Sequence, residues 1–424
     1  MTYAILTFGC RVNQADSFAL DAELRMRGAL EAPADSADLV IVNTCSVTGA
    51  ADQSARRAIR GLSRDNPSAR IVVTGCYATR QPDDLKGLGN VRLIVPNRQK
   101  DDLLSLLADQ PDGILAGEWG LDDTGSPGAL TPGALGRTAC PLRVQTGCNE
   151  SCAFCIIPST RGVSRSRPLA DIRRDVQRVS DAGFREVWIV GVHLGSYGRD
   201  LDAAGSLAAL LRELATTDGD VVFRLGSLEP MDCTADVVDV LIDSSRFAPH
   251  LHLPVQHANN RVLRAMRRPY GFEQFSSLVE TVHARMPQAS IGTDVIVGFP
   301  GETDRDVDDM ATALEALPLS YLHVFPYSDR PGTDASAMTA KVDPPAIKAR
   351  AAITRRVAAG LHERFVQTQV GTIRPGLTID DGATVMTDNF LKVRILPGLP
   401  RNTRVDVRID SAALDGTVRG RDLR

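Results

Sequence analysis

Residues 146–158 read TGCNESCAFCIIP and place Cys148, Cys152 and Cys155 in a C-x3-C-x2-C pattern. Three thiols in one short loop suit a metal centre, but a closed tetrahedral site needs four ligands. The pattern is compatible with a damaged zinc knuckle, a catalytic zinc site with one open position, or an iron–sulfur cluster with one iron left free. Thiolates are soft ligands for zinc and iron–sulfur clusters alike, so ligand type does not choose among these sites.

The spacing of these cysteines resembles the signature of the radical S-adenosylmethionine (SAM) enzymes. In those enzymes three cysteines of one loop hold a 4Fe-4S cluster, and SAM completes the coordination of the fourth iron. The resemblance implies this role for Cys148, Cys152 and Cys155. The resemblance becomes more specific if the chain also contains a barrel and segments that bind SAM.

The composition indicates several globular domains without a strongly basic surface. The 424 residues suffice for two or three domains, and 43% of them are hydrophobic. Because 48 Lys and Arg stand against 52 Asp and Glu, any nucleic-acid surface must be a local patch. The sequence MTYAILTFGC has no basic leader, and no run approaches about 18 apolar residues. We therefore expect a cytoplasmic protein that does not contact a membrane.

The eight cysteines are expected to be metal ligands or reactive thiols, because nothing in the sequence indicates export to an oxidising compartment. Cys140 and Cys233 stand outside any spacing pattern, which favours a role in packing.

Three similar runs near the N-terminus each end at a cysteine: YAILTFGC at Cys10, ADLVIVNTC at Cys45 and ARIVVTGC at Cys76. Continuous apolar runs are typical of strands buried on both faces of a parallel sheet, and helix-like segments separate them. Right-handed crossovers would bring all three cysteines to the carboxyl edge, where open α/β sheets bind ligands. They would form a second incomplete triad. The alternative is three unrelated buried thiols.

The central part of the chain has the pattern of a barrel. Six strand-like units alternate with helical segments, and the cysteine loop follows the first of them. The units are PLRVQTGC, REVWIVGVHLGSYG, DVVFRLGSLEP, PHLHLPVQ, ASIGTDVIVGFPGETD and SYLHVFPYSD. This repetition predicts a full or partial β/α barrel with its chemistry at the carboxyl ends of the strands.

Small and polar residues at these strand ends are candidates for binding SAM. Backbone near Gly191 suits the SAM amino group, Ser227 and Glu229 suit the amine or ribose hydroxyls, and backbone near Ile296 suits adenine. The candidates are Gly191, His193, Ser227, Glu229, Gln256, Ile296 and Gly298. A glycine after a strand can also be only a turn.

The predicted fold is α/β with three domains and a linker. A parallel-sheet domain spans 1–110, a linker rich in Gly, Pro and Asp spans 111–135, a partial (β/α)6 barrel spans 136–366, and a small β-domain spans 367–424. The final segment LDGTVRGRDLR is weak as a strand.

Together, the motifs FGCRVNQADS, VNTCSVTGAAD, VTGCYA, CNESCAFCIIPSTRG, SLEP, HLPVQ and GFPGETD resemble the methylthiotransferase family of radical SAM enzymes over nearly the whole chain. The resemblance implies an auxiliary 4Fe-4S cluster on the N-terminal domain, a radical SAM barrel and a C-terminal RNA-binding TRAM domain. The six implied ligands are Cys10, Cys45, Cys76, Cys148, Cys152 and Cys155.

Two segments favour one branch of that family. CRVNQADS and NTCSVTGAADQSARRAIR resemble the enzymes that act on threonylcarbamoyladenosine at position 37 of tRNA. The branch that acts on isopentenyladenosine has a run nearer to C-Q-M-N, and the branch that modifies a ribosomal protein aspartate tends toward C-x-K-N. These branches remain the alternative substrates.

Two arginine-rich segments are candidates for contact with RNA or substrate. TRGVSRSRP follows the cysteine loop, and NNRVLRAMRRPY lies further on. Guanidinium groups bind phosphate and carboxylate with paired hydrogen bonds, although a solvated helix face would also explain the second segment. The candidate residues are Arg161, Arg165, Arg167 and Arg268.

The resemblance also implies a reaction. The barrel cluster would accept an electron and cleave SAM to a 5′-deoxyadenosyl radical. Hydrogen would be removed from the adenine C2 atom, a C–S bond would form there with a sulfur species on the auxiliary cluster, and a second SAM would methylate the sulfur. The implied partners are tRNA, an electron donor such as a flavodoxin or ferredoxin, and a sulfur source. A zinc-stabilised RNA-binding protein without catalysis is the alternative from another class.

Overall fold

The computed structural model describes residues 1–109, 130–201, 205–413 and 417–423. The predicted linker 111–135 lies outside the described residues except for 130–135. Within the described ranges a parallel sheet, a parallel half-barrel and a closed, mainly antiparallel barrel follow one another along the chain. The predicted α/β fold class is confirmed. No helix among the described residues combines the length and the apolar character needed to cross a bilayer.

The N-terminal unit is a five-stranded parallel sheet with the order β2-β1-β3-β4-β5. Its elements are β1 Thr2–Thr7, α1 Arg11–Met26, β2 Leu30–Glu31, β3 Leu39–Thr44, α2 Gly49–Asp65, β4 Arg70–Gly75, α3 Cys76–Arg80, β5 Val91–Val95 and α4 Leu103–Ala108. Every residue of β3 is buried because helices cover both faces of the sheet. The continuous apolar runs in the sequence reflect this double burial.

The central unit contains the six predicted strands, all parallel, in the order β6-β9-β10 and β11-β12-β13. Single parallel bridges, Phe223 with Phe247 and Ser227 with His252, connect the two halves next to β10 and β11. A short antiparallel pair, β7 with β8, lies outside these six strands. The strands of the unit are β6 Cys140–Arg143, β7 Gln145–Thr146, β8 Arg165–Ser166, β9 Glu186–Val190, β10 Val222–Leu225, β11 His250–His252, β12 Ser290–Val297 and β13 Tyr321–Pro326. The helices are α5 Ile157–Arg161, α6 Leu169–Asp181, α7 Leu207–Ala215, α8 Ala235–Asp243, α9 Asn260–Ala265, α10 Phe272–Arg285, α11 Asp304–Glu315, α12 Asp334–Ala337 and α13 Pro344–Gln369.

Residues alternate between two environments along these six strands. Val187 and Ile189 of β9, like Leu251 of β11, belong to the large apolar core beneath the helices. The alternate residues, such as Trp188 and His250, point into the half-barrel and contact one another there. The interior is therefore a separate polar and aromatic compartment.

The C-terminal unit is a closed barrel of five strands in the order β14-β15-β16-β18-β17. The strands are β14 Ile373–Ile379, β15 Thr384–Thr387, β16 Lys392–Arg394, β17 Arg404–Ala412 and β18 Val418–Asp422. The weak strand signal in the last eleven residues was misleading, because β18 pairs with both β16 and β17 and closes the barrel. Closure removes free strand edges, which stabilises short strands of low propensity.

One turn of the C-terminal barrel closes the lower end of the half-barrel. Arg224 of β10 is fully buried, and its guanidinium donates to the backbone oxygens of Thr387 at 3.1 Å and Asp388 at 2.7 Å. The ring of Phe390 lies 4.3 Å from that of His250 between centroids. The compartment is therefore sealed from below and opens toward the carboxyl ends of the strands.

Candidate active site

Two glycines allow the strand ends of the N-terminal sheet to meet. Gly9 has φ +95°, and a Cβ atom there would lie 2.5 Å from Cys45 Sγ. Gly75 has φ +100°, and a Cβ atom there would lie 2.2 Å from the Thr44 carbonyl oxygen. Both positions exclude larger residues, and each glycine is followed directly by a cysteine. The local sequence F-G-C and T-G-C thus brings the three cysteines together.

The three thiols form one group at this edge. Burial raises the pKa of Cys45 to about 11, and the neighbouring Cys10 and Cys76 add to this effect. Cys10 is exposed, whereas Cys45 and Cys76 are buried. The group we call the N-terminal triad, Cys10, Cys45 and Cys76, therefore has one open side.

The cysteine loop of the barrel is also fixed by a close approach between two backbone segments, at Gly147 and at Val163. Gly147 has φ +71°, and a Cβ atom there would lie 1.9 Å from the Val163 carbonyl oxygen. The Cys148 N–H donates to Gly162 at 3.0 Å, which ties the start of the loop to its end. This geometry holds Cys148, Cys152 and Cys155, which we call the barrel triad, above the compartment.

N–H groups point at the sulfurs of the barrel triad. The backbone of Glu150 donates to Cys148 Sγ at 3.4 Å, and that of Ile157 donates to Cys155 Sγ at 3.4 Å. Burial raises the pKa of Cys155 to about 12, so metal loading must displace a firmly held proton. Donors of this kind stabilise the negative charge of metal-bound thiolate and tune cluster potential.

Both triads fit a 4Fe-4S cluster that has one iron without a protein ligand. Each supplies three soft thiol donors, and N–H donors already face individual sulfurs in both. When bound, such a cluster supplies an electron-transfer centre with an iron open to a small molecule.

The two triads are close neighbours, because α3 packs directly on α5. The side chain of Asn97 links them: its Nδ2 donates to Cys76 Sγ at 3.4 Å and to the Thr160 carbonyl oxygen at 3.0 Å. Thr160 follows the barrel triad on α5. Both open sites therefore face one region between the sheet and the barrel.

We expect Asn97→Ala to weaken retention of the auxiliary cluster about 10- to 100-fold, since loss of a partner that bonds a metal ligand has this effect. The measurement is iron release from the reconstituted chain under an iron chelator. Asn90→Ala is the matched control, because the side-chain amide of Asn90 donates to the backbone oxygens of Asn66 and Pro67, away from both triads. Equal release from both variants would contradict the role given to Asn97.

A buried carboxylate fastens the N-terminal sheet to the barrel. Asp16 of α1 accepts from Arg143 at 2.6 Å, Arg161 at 2.9 Å and Lys100 at 3.0 Å. Its side chain is 1% exposed. Burial alone would raise the pKa of Asp16, but these three cations hold it well below its usual range. Because Arg143 and Arg161 belong to the barrel unit, Asp16 sets the position of one triad relative to the other.

A second buried carboxylate repeats this arrangement on the far side of the N-terminal triad. Asp52 of α2 binds Arg80 at 3.2 Å and also pairs with Arg330, which follows β13. Ser46, the residue after Cys45, donates to Asp52 at 2.7 Å. Two ion networks thus hold the triads at a fixed separation.

Several predicted SAM-binding residues lie beside the barrel triad. His193 is buried, with Nδ1 3.8 Å from Cys148 Sγ and Nε2 2.7 Å from Asp232. Glu229 pairs with Arg268, which in turn lies 3.3 Å from Cys152 Sγ. Ile296 packs on the apolar group that contains residues of the cysteine loop.

The other candidates lie at strand ends without a contact to the triad in the described structure. Ser227 is exposed and bridges to β11, and Gln256 has φ +71° where it bridges to β12. A Cβ atom on Gly191 would lie 3.0 Å from Gln145 Oε1. The Gly298 N–H donates to Glu302 at 2.7 Å, so that donor is already used. Their roles toward SAM stay predictions.

The predicted RNA-contacting arginines occupy different environments. Arg165 is exposed, and Arg167 pairs with Asp175 at 2.6 Å. Arg161 and Arg268 are buried instead, and their guanidinium groups pair with the buried Asp16 and the half-buried Glu229 next to the triads. These two side chains therefore do not lie on an exposed surface that RNA could contact.

The polar wall of the compartment was missed from the sequence. Asp294 accepts from His252 and His323 at 3.0 Å each, and His252 also lies 3.0 Å from the Tyr321 hydroxyl. Burial alone would raise the pKa of Asp294, but the two histidines lower it to about 2. The available signal was the alternation H-L-H in β11 and Y-L-H in β13, which places polar residues on one face.

Comparison with known proteins agrees with this architecture. The radical SAM superfamily matches residues 142–314, and an uncharacterized protein family, UPF0004, matches residues 2–96. The chain is similar in structure to the radical S-adenosylmethionine methyltransferase TsrM from Kitasatospora setae, solved with cobalamin and a [4Fe-4S] cluster bound. The TM-score between the two is 0.56 at 15% sequence identity, and the match covers 79% of this chain and 73% of that chain. This likeness concerns the fold alone.

Two curated relatives are closer in sequence. The chain is 34% identical to the threonylcarbamoyladenosine tRNA methylthiotransferase MtaB of Aquifex aeolicus, over 93% of this chain and 96% of the relative. It is also 34% identical to the tRNA-2-methylthio-N(6)-dimethylallyladenosine synthase of a Parafrankia species, over 82% of this chain and 72% of the relative. The identities are equal, and the first match extends over more of both chains.

Proposed function

Because the chain belongs to the methylthiotransferase family of radical SAM enzymes, we propose that it adds a methylthio group to C2 of N6-threonylcarbamoyladenosine at position 37 of tRNA. It is a transferase that uses SAM and 4Fe-4S clusters. The observation that carries the proposal is the adjacency of two cysteine triads, each open on one side, above a single compartment. A generic radical enzyme needs only one of them.

The protein itself positions the two triads relative to each other and encloses the space in which the substrate reacts. The ion networks at Asp16 and Asp52 fix the separation of the triads, so a base that reaches between them meets both in one geometry. The turn 387–390 of the C-terminal barrel closes the lower end of the compartment. This closure limits the access of water to a reactive radical. Because the sites are held in a fixed geometry, less entropy is lost when three reactants come together in the reaction.

The threonylcarbamoyl substrate is preferred over isopentenyladenosine for two reasons. The motifs CRVNQADS and NTCSVTGAADQSARRAIR resemble that branch, and full-length similarity extends to a relative with that activity. The polar wall of Asp294, His252, Tyr321 and His323 also suits a polar substituent better than an apolar isopentenyl group.

The substrate is tested by deleting the gene and measuring methylthio nucleosides in total tRNA by mass spectrometry. We expect 2-methylthio-N6-threonylcarbamoyladenosine to disappear and to return when the gene is supplied again. Its persistence in an organism without a second such enzyme, or loss of the isopentenyl nucleoside instead, would refute the substrate assignment.

Metal content separates this proposal from a zinc-stabilised RNA-binding protein. Two 4Fe-4S clusters require about eight irons per chain. Chain reconstituted without oxygen should approach this number and cleave SAM under reduction, whereas tightly bound zinc without SAM cleavage would exclude the enzyme.

The remaining partners follow from the proposed reaction. Cleavage of SAM requires an electron donor such as a flavodoxin or ferredoxin, and repeated turnover requires a sulfur source. We place the reaction in the cytoplasm with the tRNA. Exposed Arg165 beside the cysteine loop is a candidate for phosphate contact.

A further inference from the structure

Arg11 occupies the boundary between the N-terminal triad and the compartment. It directly follows Cys10 and is the first residue of α1. Its guanidinium carbon lies 3.4 Å from the centroid of the Trp188 ring, and Trp188 belongs to the inner face of β9. The charge of Arg11 also acts on Tyr321 of the compartment wall. A cation is therefore held over an aromatic ring of the compartment, directly beside a cysteine of the N-terminal triad.

Arg11 has no carboxylate partner or hydrogen-bond acceptor among the residues that the structure describes. The other arginines around the triads differ in this respect. Arg161 binds Asp16, Arg330 binds Asp52, and Arg268 binds Glu229. The contact with Trp188 holds the Arg11 guanidinium in place, and its N–H donors remain available.

The position of Arg11 is also electrostatically unfavourable. A positive charge in the first turn of a helix opposes the helix dipole. Burial disfavours its charge most, and Arg224 and the exposed Arg137 repel it, whereas Tyr321 and Glu186 partly offset these effects. The balance disfavours the charge of Arg11, and a bound anion at this point would counter the repulsion and the helix dipole.

We propose that Arg11 binds the carboxylate of the threonylcarbamoyl group and so selects the modified adenosine. This inference rests on the proposed function. An adenine whose C2 lies between the triads carries its N6 substituent on the same ring, and that substituent ends in the only anionic group of the base. A planar guanidinium held in place matches a carboxylate with two parallel hydrogen bonds.

Other anions make different predictions. A tRNA phosphate is present in every substrate, so an arginine that binds phosphate would favour all of them equally. The carboxylate of SAM is likewise independent of the nucleoside. Only recognition of the substituent makes the effect of Arg11 depend on the charge of the substrate.

The test compares two anticodon stem-loops that differ in one group. One carries threonylcarbamoyladenosine, and the other carries the same nucleoside with the threonine carboxylate converted to a carboxamide. For the wild-type chain we expect kcat/KM for methylthiolation to fall about 10- to 100-fold with the carboxamide, as expected for loss of a charged hydrogen-bonded pair. Arg11→Gln should reduce kcat/KM for the acid by a similar factor and change it for the carboxamide by less than about threefold.

Two controls keep the result interpretable. Arg11→Lys retains the charge and should recover part of the discrimination, while Arg355→Gln removes an equal charge from the exposed face of α13 and should leave it unchanged. Iron content after reconstitution verifies that each variant is folded and loaded. Equal loss on both substrates in Arg11→Gln would overturn the proposal in favour of phosphate or SAM. If the wild-type chain modified neither stem-loop, the proposed function itself would fail.

Discussion

Cys45→Ala is expected to abolish methylthiolation while SAM cleavage remains measurable, whereas Cys152→Ala is expected to abolish both. The reason is that each triad holds its own cluster, and only the barrel triad faces the predicted SAM-binding residues His193 and Glu229. Each variant should lose about four of about eight irons. Methylthiolation should fall more than about 100-fold, since loss of outer partners alone costs up to that factor. The readouts are 5′-deoxyadenosine, methylthio nucleoside and iron.

Cys140→Ala is the control for this separation. Cys140 is buried in the large apolar core, outside both triads, so its removal should leave the iron content unchanged. The account is contradicted if Cys45→Ala retains methylthiolation, or if either triad variant keeps the full complement of iron.

Asp16→Asn is expected to lower the free energy of unfolding by about 3–5 kcal/mol, because the substitution leaves Lys100, Arg143 and Arg161 without their shared buried counter-charge. The measurement is the urea midpoint of the variant against wild type. The control is Asp65→Asn, where the partner Arg64 is exposed and the expected change is at most about 1 kcal/mol. A similar midpoint for both variants would exclude Asp16 as the fastening point.

The same carboxylate gives a pH dependence with a defined sign. The pKa of Asp16 is lower in the folded chain than its ordinary value of about 4. Its contribution to stability is therefore complete above that ordinary value and is lost as the pH falls through the folded-state pKa. The difference between wild type and Asp16→Asn should stay constant above about pH 5 and shrink below about pH 4. A difference that shrank on raising the pH from neutral would have the wrong sign.

The parts of the fold that depend on local pattern were predictable. The apolar runs that end at Cys10, Cys45 and Cys76 predicted the parallel sheet, and the six β/α units predicted the half-barrel. Double burial and crossover handedness act within short segments, so their signals survive in the sequence. The final strand was underestimated because β18 is stabilised by closure of the barrel rather than by its own propensity.

The relation between the triads was not predictable, because it depends on partners far apart in the chain. Asp16 gives no sign in the sequence that it meets Lys100 and Arg161, which are 84 and 145 residues away. The sequence marks Arg161 as a candidate for contact with RNA or substrate, because guanidinium groups bind phosphate and carboxylate. Its burial beside Asp16 could not be predicted from the sequence, and its contact with substrate stays a prediction.

The central claim is that both triads serve one modified adenosine. It is tested most directly by incubating the reconstituted chain with SAM, a reductant and anticodon stem-loops that carry either threonylcarbamoyladenosine or isopentenyladenosine, and by mass spectrometry of the nucleosides. The account predicts a methylthio product from the first RNA in the wild-type chain and none from Cys45→Ala or from the second RNA. Product from the isopentenyl RNA alone, or from Cys45→Ala as readily as from wild type, would contradict it.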